Sequence, residues 1–367
     1  MNDQWLAYFR HYAEKLAPAF ALKGPWNYKD DITMLGQEML LRETGEAVFR
    51  QSILKCGEAL CDGQGHLRRW DDEAHNLDFV SLGKSLWVLY RLTGNPVIHE
   101  EILKVRQNLS GHPRVSSGNY WHKDIYPNQV WLDGLYMALP FQAETDIDCG
   151  RPDFSDIFDQ FRQVRAHHYV PETGLYLHAW DESRQMDWCD RATGLSPCYW
   201  LRAEGWLLMA MCDLYELVRD RTPEAAYFIE LLQEALDGLL PYQDAETGMF
   251  YQLIDRKDLP DNYLETSGSA MAAYAMLKGA RLGMLDSAYA AQGADILEGI
   301  RRTYLKEEGV PVLYGICASA GLGPGPDHRT DRDGTPRYYL SEKQIPDNQH
   351  GAAPCMMAAA ECLKANL

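Results

Sequence analysis

Acidic, basic and aromatic side chains gather in the segments that lead into several predicted helices. Asp78 stands directly before one such helix and Asp133 in the first turn of another, and His122 and Lys123 lie in the loop before Asp133. A pair of carboxyl groups can supply the acid and the base of a hydrolysis. The imidazole and ammonium groups, together with Arg202 in a later helix, can hold a carboxylate. The combination predicts a site for a flat, polar and negatively charged ligand.

A simpler interpretation of each carboxyl group stays open, because Asp in the first turn of a helix usually caps it or balances its dipole. The functional interpretation depends on several such side chains meeting at one end of the fold. Other chemistries find no support. The sequence contains no GxSxG motif, no phosphate-binding loop and no His or Cys spacing typical of a metal site. We therefore expect no metal and no cofactor.

The composition is that of an ordinary globular protein with a strong negative charge. Of the 367 residues, 46% are hydrophobic and 24% are charged, and the formal net charge is -18. This charge disfavours binding to nucleic acid or to an anionic membrane surface. Nine cysteines without a CxxC pair, and an N-terminus without an apolar signal segment, favour a reduced protein in the cytoplasm.

Helical periodicity predicts about twelve helices, which are joined by links that alternate between short and long. In the short links Thr44-Gly45 and Thr93-Gly94-Asn95, a glycine can end one helix just before the next begins. Such links make antiparallel hairpins, so the long loops gather at one end of the fold. The predicted helices cover 2–17, 30–43, 46–60, 79–93, 96–109, 130–144, 152–168, 198–219, 222–239, 264–281, 285–303 and 347–364.

Hydrophobic patterning separates these helices into inner and outer sets. Residues 263–281 and 350–360 are small and apolar on nearly every face, which is typical of buried helices. Residues 222–239 and 285–303 carry one apolar stripe and one charged face. We therefore predict an all-α fold, an (α/α)6 barrel of six helical hairpins, in one domain that spans 1–367. An open α-solenoid is the alternative, but its repeats would keep a nearly fixed length, unlike these hairpins.

Five segments carry dense motifs of polar, aromatic and glycine residues. They are Tyr126-Pro-Asn-Gln-Val-Trp-Leu-Asp133-Gly-Leu-Tyr-Met137, Ala192-Thr-Gly-Leu-Ser-Pro197, Arg202-Ala-Glu-Gly-Trp206, Glu265-Thr-Ser-Gly-Ser-Ala270 and Tyr338-Tyr-Leu-Ser-Glu342. Together, and in this order, they resemble the unsaturated rhamnogalacturonyl hydrolases of glycoside hydrolase family 105. The related unsaturated glucuronyl hydrolases of family 88 share the fold and part of the site. The fold of the family is an (α/α)6 barrel, in agreement with the predicted ring.

The resemblance implies removal of a 4,5-unsaturated galacturonic acid from the non-reducing end of short pectin fragments, where it is often linked to rhamnose. A proton added at C4 leaves positive charge at C5, water adds there, and the resulting hemiketal opens to release the linked sugar. One carboxyl group can make both proton transfers. The family's catalytic Asp corresponds to Asp133. Aromatic walls such as Trp131, and a nearby carboxylate, would raise its pKa.

The resemblance also implies substrate-binding roles around Asp133. Asp78 would bind a hydroxyl group and tune Asp133, and His178 would assist the water. Arg202 and Trp206 would form a charge clamp and a stacking platform, whereas Glu204, between them, stands where an apolar residue is expected. The predicted binding set is Asn27, Tyr28, Asp78, His122, Lys123, Tyr126, His178, Arg202 and Trp206.

Three alternatives stay open on the sequence alone. The chain could be an unsaturated glucuronyl hydrolase that acts on other lyase products. It could be another (α/α)6 enzyme, such as an inverting glycosidase or a sugar epimerase, or a helical-repeat binding module without catalysis. For the hydrolase that the resemblance implies, we expect a small oligosaccharide substrate, no nucleic-acid or membrane partner, and a monomer or weak homo-oligomer.

Overall fold

The computed structural model describes residues 2–151, 153–306, 309–325 and 328–367. Within these ranges the chain folds into fifteen α-helices and six short strands. Helix is present in each of the twelve predicted segments, although the predicted start of one of them, residue 152, lies outside the described residues. None of the described helices combines the length and the hydropathy that a membrane span requires.

The helices follow one another along the whole chain. In chain order they are α1 (Asp3–His11), α2 (Ala17–Ala21), α3 (Tyr28–Thr44), α4 (Ala47–Leu60), α5 (Leu77–Val80), α6 (Leu82–Thr93), α7 (Pro96–Ser110), α8 (Leu132–Asp148), α9 (Ser155–His168), α10 (Leu201–Val218), α11 (Ala226–Leu239), α12 (Thr266–Leu282), α13 (Ala288–Tyr304), α14 (Pro336–Ser341) and α15 (Gln349–Lys364). A π-helical segment, Tyr12–Leu16, joins α1 to α2.

The inner helices form a ring that closes on itself. Contacts run from α3 to α6, then to α8, α10, α12 and α15, and α15 returns to pack along α3. The remaining long helices pack outside this ring. The prediction of an (α/α)6 barrel is therefore confirmed, and the open solenoid is excluded because the first and last inner helices are in contact.

Small residues allow the inner helices to pack closely. At the closure of the ring, a Cβ atom added to Gly36 on α3 would lie 3.0 Å from Met356 Cβ and 3.1 Å from the Ala353 carbonyl oxygen on α15. Larger side chains at this crossing would separate the two helices, so the small, apolar sequence of α15 suits its position.

The short links at the opposite end from the long loops have the predicted geometry. Gly45 ends α3 with a φ of 68°, and Gly94 ends α6 with a φ of 66°. This left-handed conformation favours glycine and lets the next helix begin at once. The hairpin links that repeat in the sequence are therefore also alike in structure.

The six strands are short and lie in the long loops. They are β1 (Gln129–Trp131), β2 (Tyr169–Val170), β3 (Leu175–Tyr176), β4 (Ala179–Asp181), β5 (Leu305–Lys306) and β6 (Val312–Leu313). All pairs are antiparallel: β1 with β4, β2 with β3, and β5 with β6. Strand β1 occupies the predicted start of the sixth helix, so α8 begins at Leu132 rather than at residue 130. The β1–β4 pair aligns Trp131 with Ala179 and thereby brings two parts of the site together.

Candidate active site

The long loops and the first turns of the inner helices meet at one mouth of the barrel. Tyr28, in the first turn of α3, is close enough to Asp78, Asp133 and Arg202 for their charges to act on its hydroxyl group. Tyr28, Asp133 and Arg202 lie on three different inner helices, and Asp78 lies on the short helix α5, directly before the inner helix α6. The fold therefore brings together residues that are far apart in the sequence, as the predicted up-and-down arrangement requires.

Asp133 and His178 form the centre of a buried hydrogen-bonded chain. Asp133 lies in the first turn of α8, and 14% of its side chain is exposed. Its Oδ2 atom is 3.2 Å from His178 Nε2, and His178 Nδ1 is 2.7 Å from the hydroxyl group of Tyr339. The backbone fixes this contact, because the Leu132 N–H donates to the His178 carbonyl oxygen at 3.1 Å.

The direction of the hydrogen bonds follows from burial. Both His178 and Tyr339 are fully buried, and the Tyr339 hydroxyl group has no other hydrogen-bond partner among the described residues. A buried hydroxyl hydrogen needs an acceptor, so Tyr339 donates to Nδ1. His178 then carries its hydrogen on Nε2 and donates it to the Asp133 carboxylate.

The pKa of Asp133 moves in the direction opposite to the predicted one. Burial alone raises the pKa of this carboxyl group, but the hydrogen bond from His178 and the electrostatic influence of the His178 and His122 rings lower it, and the net pKa lies below its ordinary value. The expectation of a raised pKa is wrong for the unliganded site, because sequence reasoning did not include the His178 hydrogen bond. Asp133 is therefore ionised at neutral pH until a ligand changes its surroundings.

Asp78 is held by a cation rather than by Asp133. Lys123 Nζ lies 2.5 Å from Asp78 Oδ2, and His122 Nε2 lies 3.6 Å from Oδ1. Burial alone lowers the pKa of Lys123, but the charge of Asp78 outweighs it and raises that pKa. In contrast, burial lowers the pKa of His122 to about 4. At neutral pH the group therefore contains an ion pair and a neutral imidazole.

An aromatic stack supports this ion pair. The His122 ring lies on Trp131 with a centroid distance of 4.6 Å, and Tyr126 stacks on Trp131 at 4.9 Å. The Trp131 indole N–H donates to Gln129 Oε1 at 3.1 Å, which fixes the ring. The predicted residues His122 and Tyr126 thus belong to one rigid wall of the mouth.

Arg202 is a buried cation of the site, and some of its N–H groups have no hydrogen-bond acceptor in the described part of the chain. The residue is 1% exposed, and its Nη2 atom donates to the Cys317 carbonyl oxygen at 2.5 Å. Its Nε and Nη1 atoms have no hydrogen-bond partner among the described residues. The Trp200 ring lies 5.0 Å from the guanidinium carbon, and its centroid is 4.8 Å from that of the His178 ring. A buried guanidinium with free donors, beside the Asp133–His178 pair, is suited to an anionic ligand.

Two further predicted residues, Trp206 and Asn27, have mainly structural contacts. Trp206 is 1% exposed, stacks on Tyr136 at 5.0 Å and touches the edge of Tyr28 at 6.3 Å. Asn27 is the N-cap of α3, where its side chain accepts from the Lys29 N–H. Tyr28, in contrast, directs its hydroxyl group to His350 Nε2 at 2.9 Å.

Glu204, which departs from the expected pattern, faces away from the mouth. Its Oε1 atom accepts the Tyr176 N–H at 2.6 Å, and Oε2 has no hydrogen-bond partner among the described residues. Burial raises its pKa to about 8, so the carboxyl group is neutral at pH 7. It therefore fixes strand β3 against α10.

We expect Glu204→Gln to change stability rather than activity. Glu204 is ionised in the unfolded chain at pH 7 but protonated in the fold, so its contribution to stability falls as the pH rises from its ordinary pKa to about 8. Gln avoids this loss. The melting temperature of the variant should exceed that of the wild type by about 5 °C at pH 8 and by less at pH 5. Melting curves at both pH values test this, and a fall in kcat/KM beyond about tenfold would contradict the placement.

Several neighbours of the site were not assigned roles from the sequence. Tyr339 lies in the Tyr338-Tyr-Leu-Ser-Glu342 motif, which was its available signal, but its contact with His178 joins residues 161 positions apart. Cys317 is in the loop beside Arg202 and contributes a backbone carbonyl oxygen. A Cβ atom added to Gly321, further along this loop, would lie 3.7 Å from Trp131, so the loop borders the mouth.

We expect Tyr339→Phe to lower kcat about tenfold with little effect on KM, because His178 loses the bond that selects its tautomer. Without the Nε2–H donor, the pKa of Asp133 rises, and the basic limb of the pH–rate profile moves to higher pH. Tyr338→Phe is the matched control, since that hydroxyl group accepts from the Gly321 N–H instead. A rate loss with an unshifted pH profile would assign Tyr339 a purely structural role.

Comparisons with known proteins identify the family of the chain. The model of Glycosyl Hydrolase Family 88 matches residues 2–366. Protein Atu3128 of Agrobacterium fabrum is 43% identical over 235 residues, which cover 62% of this chain and 98% of that protein. The unsaturated rhamnogalacturonyl hydrolase YesR of Bacillus subtilis is 31% identical over 232 residues, which cover 59% of this chain and 64% of YesR.

A solved structure extends the similarity to the whole chain. A family 105 glycoside hydrolase of C. acetobutylicum superposes with a TM-score of 0.91 and 32% identity, and the match covers 98% of this chain and 99% of that one. An unsaturated glucuronyl hydrolase specific for heparin has the same fold, with a TM-score of 0.70, 16% identity, and coverage of 100% and 99%. The chain therefore belongs to the glycoside hydrolases of the related families 88 and 105.

Proposed function

We propose that the protein removes the 4,5-unsaturated galacturonic acid from the non-reducing end of rhamnogalacturonan-derived oligosaccharides by hydrating the C4=C5 bond. The observation that carries this proposal is the position of Arg202. Its buried guanidinium has free donors and shares the Trp200 ring with His178, the hydrogen-bond partner of Asp133. A uronate carboxylate bound to Arg202 would place the adjacent double bond towards Asp133.

The reaction needs one proton donor that later becomes a base. Asp133 adds a proton to C4, and the π electrons form the new C–H bond and leave an oxocarbenium ion at C5 and the ring oxygen. Water attacks C5 and gives its proton back to Asp133. The hemiketal opens when the bond between C5 and the ring oxygen breaks, which leaves a ketone at C5 and a hydroxyl group on C1. That C1 hemiacetal then collapses to an aldehyde, its bond to the aglycone breaks, and the aglycone takes the hydroxyl proton and leaves with the enzyme unchanged.

Asp133 is ionised before the substrate binds, but the scheme needs it protonated. In our proposal the substrate itself promotes the protonation of Asp133. The arriving uronate is a second negative charge in a nearly closed site, and a like charge raises the pKa of a carboxyl group. Arg202, whose guanidinium carbon lies 5.0 Å from the Trp200 ring, offsets part of this charge. His178 then holds the Asp133 carboxylate in position when the proton has been transferred.

The Asp78–Lys123 pair is suited to binding sugar hydroxyl groups. An ion pair offers both acceptors and donors at one point, and 13% of the Asp78 side chain and 19% of the Lys123 side chain are exposed. The same pairing argues against an inverting glycosidase with Asp78 as base, because the carboxylate is already neutralised by Lys123 at 2.5 Å. The roles of Asn27, Tyr28, Tyr126 and Trp206 stay predictions, as do a cytoplasmic location and a monomeric or weakly associated state.

The choice of rhamnogalacturonan-derived substrates over those of glucuronyl hydrolases, which differ in the linked sugar and linkage, is supported by a relative. YesR, whose name states activity on unsaturated rhamnogalacturonyl groups, is 31% identical to this chain over 232 residues. The glucuronyl hydrolase specific for heparin is 16% identical, which supports a common fold and not a common substrate.

Ultraviolet absorbance provides the test, because hydration destroys the conjugated double bond. We expect the purified protein to remove the absorbance of unsaturated galacturonyl-rhamnose faster than that of an unsaturated glucuronyl disaccharide. The two unsaturated uronates are the same sugar, because C4, where galacturonate and glucuronate differ, is trigonal. A preference for the second disaccharide would therefore change the linked sugar and the linkage in the proposal. Unchanged absorbance on both substrates would contradict the proposed function itself.

A further inference from the structure

A cavity lies beside the catalytic residues, between the first two helical hairpins. It has a volume of about 520 Å³, within the usual range for small-ligand sites. Its walls come from the loop before α3, the end of α4, the loop of residues 68–74, and the start of α5 and α6. None of the predicted site residues lines it.

Three aromatic rings line this cavity, and hydrogen bonds fix two of them. The Trp26 indole N–H donates to Asp31 Oδ1 at 2.7 Å, and the Trp70 indole N–H donates to Asp72 Oδ1 at 2.7 Å. The third ring, Phe79, is 45% exposed despite its size. Fixed and exposed aromatic surfaces are suited to stacking on sugar rings.

The charged groups of the cavity favour an anion. Arg69 is exposed and has no ion-pair partner among the described residues. Arg68 donates from Nε to the backbone carbonyl oxygens of Glu58 and Cys61. These neutral acceptors do not cancel its positive charge, which stays in the wall of the cavity. The acidic lining residue, Asp71, accepts the Glu73 N–H in its own loop. In a chain with a formal net charge of -18, an unneutralised pair of arginines is a local exception.

The cavity and the catalytic mouth share two walls. Asp78 and Phe79 are consecutive on α5, and successive helical residues point about 100° apart: Asp78 meets Lys123 in the mouth, whereas Phe79 lines the cavity. Likewise, Trp26 lines the cavity, and Tyr28, two residues later, bonds to His350 in the mouth. A ligand longer than one sugar can therefore pass over this rim from one to the other.

We propose that this cavity is a second binding site, which holds a galacturonate residue of the aglycone when the substrate is longer than a disaccharide. The inference rests on the proposed function. In an alternating galacturonate and rhamnose chain, the third sugar carries the next carboxylate, which would meet Arg69, while its ring contacts Phe79 and Trp70. The cavity thus selects longer acidic fragments, and the disaccharide uses the mouth alone.

The test compares an unsaturated galacturonyl-rhamnose disaccharide with the corresponding unsaturated tetrasaccharide. We expect Arg69→Ala to raise KM for the tetrasaccharide about tenfold, the effect of one charge-assisted contact, and to leave KM for the disaccharide unchanged. Phe79→Ala should raise the tetrasaccharide KM about fivefold through the lost stacking surface. Arg50→Ala is the matched control, because Arg50 is exposed on α4 and does not line the cavity.

A parallel binding measurement separates this inference from the proposed function. A saturated tetrasaccharide, which cannot react, should bind the wild type by calorimetry about tenfold more tightly than it binds Arg69→Ala. Suppose that the disaccharide is turned over, but that KM and Kd for the tetrasaccharide are equal in the wild type and both variants. This result would contradict the second binding site and would still support the proposed function. Arg69-dependent binding without any turnover of unsaturated substrates would support the second binding site and contradict the proposed function.

Discussion

Replacing Asp133 by Asn is expected to lower kcat on an unsaturated galacturonyl disaccharide by at least about a thousandfold. The amide keeps the shape of the side chain but cannot transfer a proton to C4 or accept one from water. His178 Nε2 still has an oxygen within reach, so the fold and the mouth should persist. Initial rates from ultraviolet absorbance measure the loss.

Binding distinguishes a catalytic loss from a damaged site. We expect Asp133→Asn to bind the intact unsaturated disaccharide with a Kd within about tenfold of the wild-type KM, because Arg202 and the Asp78–Lys123 pair are untouched. Asp220→Asn is the matched control, since Asp220 is 87% exposed and, within the part of the chain that the structure describes, pairs with its neighbour Arg219 alone. Near-normal turnover by Asp133→Asn would remove this residue from the chemistry.

Replacing Arg202 by Met should lower activity without lowering the stability of the fold. The substrate loses its main cationic partner in a desolvated site, so kcat/KM should fall by about a hundredfold to a thousandfold, mainly through KM. The melting temperature should stay the same or rise, because Met removes a buried charge whose Nε and Nη1 donors lack partners. Thermal melts and substrate-dependent rates on the same preparation measure both effects.

Arg281→Met is the matched control with the opposite expected pattern. Arg281 lies near the C-terminal end of α12, away from the mouth, and its Nε atom pairs with the buried Glu361 at 2.6 Å. Its loss leaves a buried carboxylate poorly compensated, so stability should fall while kcat/KM persists below the melting transition. A lower melting temperature with normal KM in Arg202→Met would mean that Arg202 is structural.

The barrel could be predicted because its determinants are local. Periodicity marks each helix, and glycines such as Gly45 and Gly94 end helices where the chain reverses. The pattern of small residues in α12 and α15 indicates an inner position without any knowledge of neighbours. Alternating loop lengths then place the catalytic candidates at one end.

The details of the site depend on contacts between distant segments, which these patterns do not contain. The β1–β4 pair that brings His178 to Asp133 involves only three residues on each strand. The bond between Arg202 and Cys317 spans 115 positions. The direction of the Asp133 pKa shift depends on the His178 hydrogen bond, and the fate of Glu204 depends on the Tyr176 backbone.

The most direct test of proton transfer by Asp133 is turnover of unsaturated galacturonyl-rhamnose in D2O, followed by nuclear magnetic resonance and ultraviolet absorbance together. Hydration predicts that each released rhamnose is matched by the loss of one double bond and by one deuterium at C4 of the uronate product. In Asp133→Asn, all three signals should be absent while the substrate still binds. Rhamnose released with the double bond intact, or deuterium incorporated at the wild-type rate by the variant, would contradict the account.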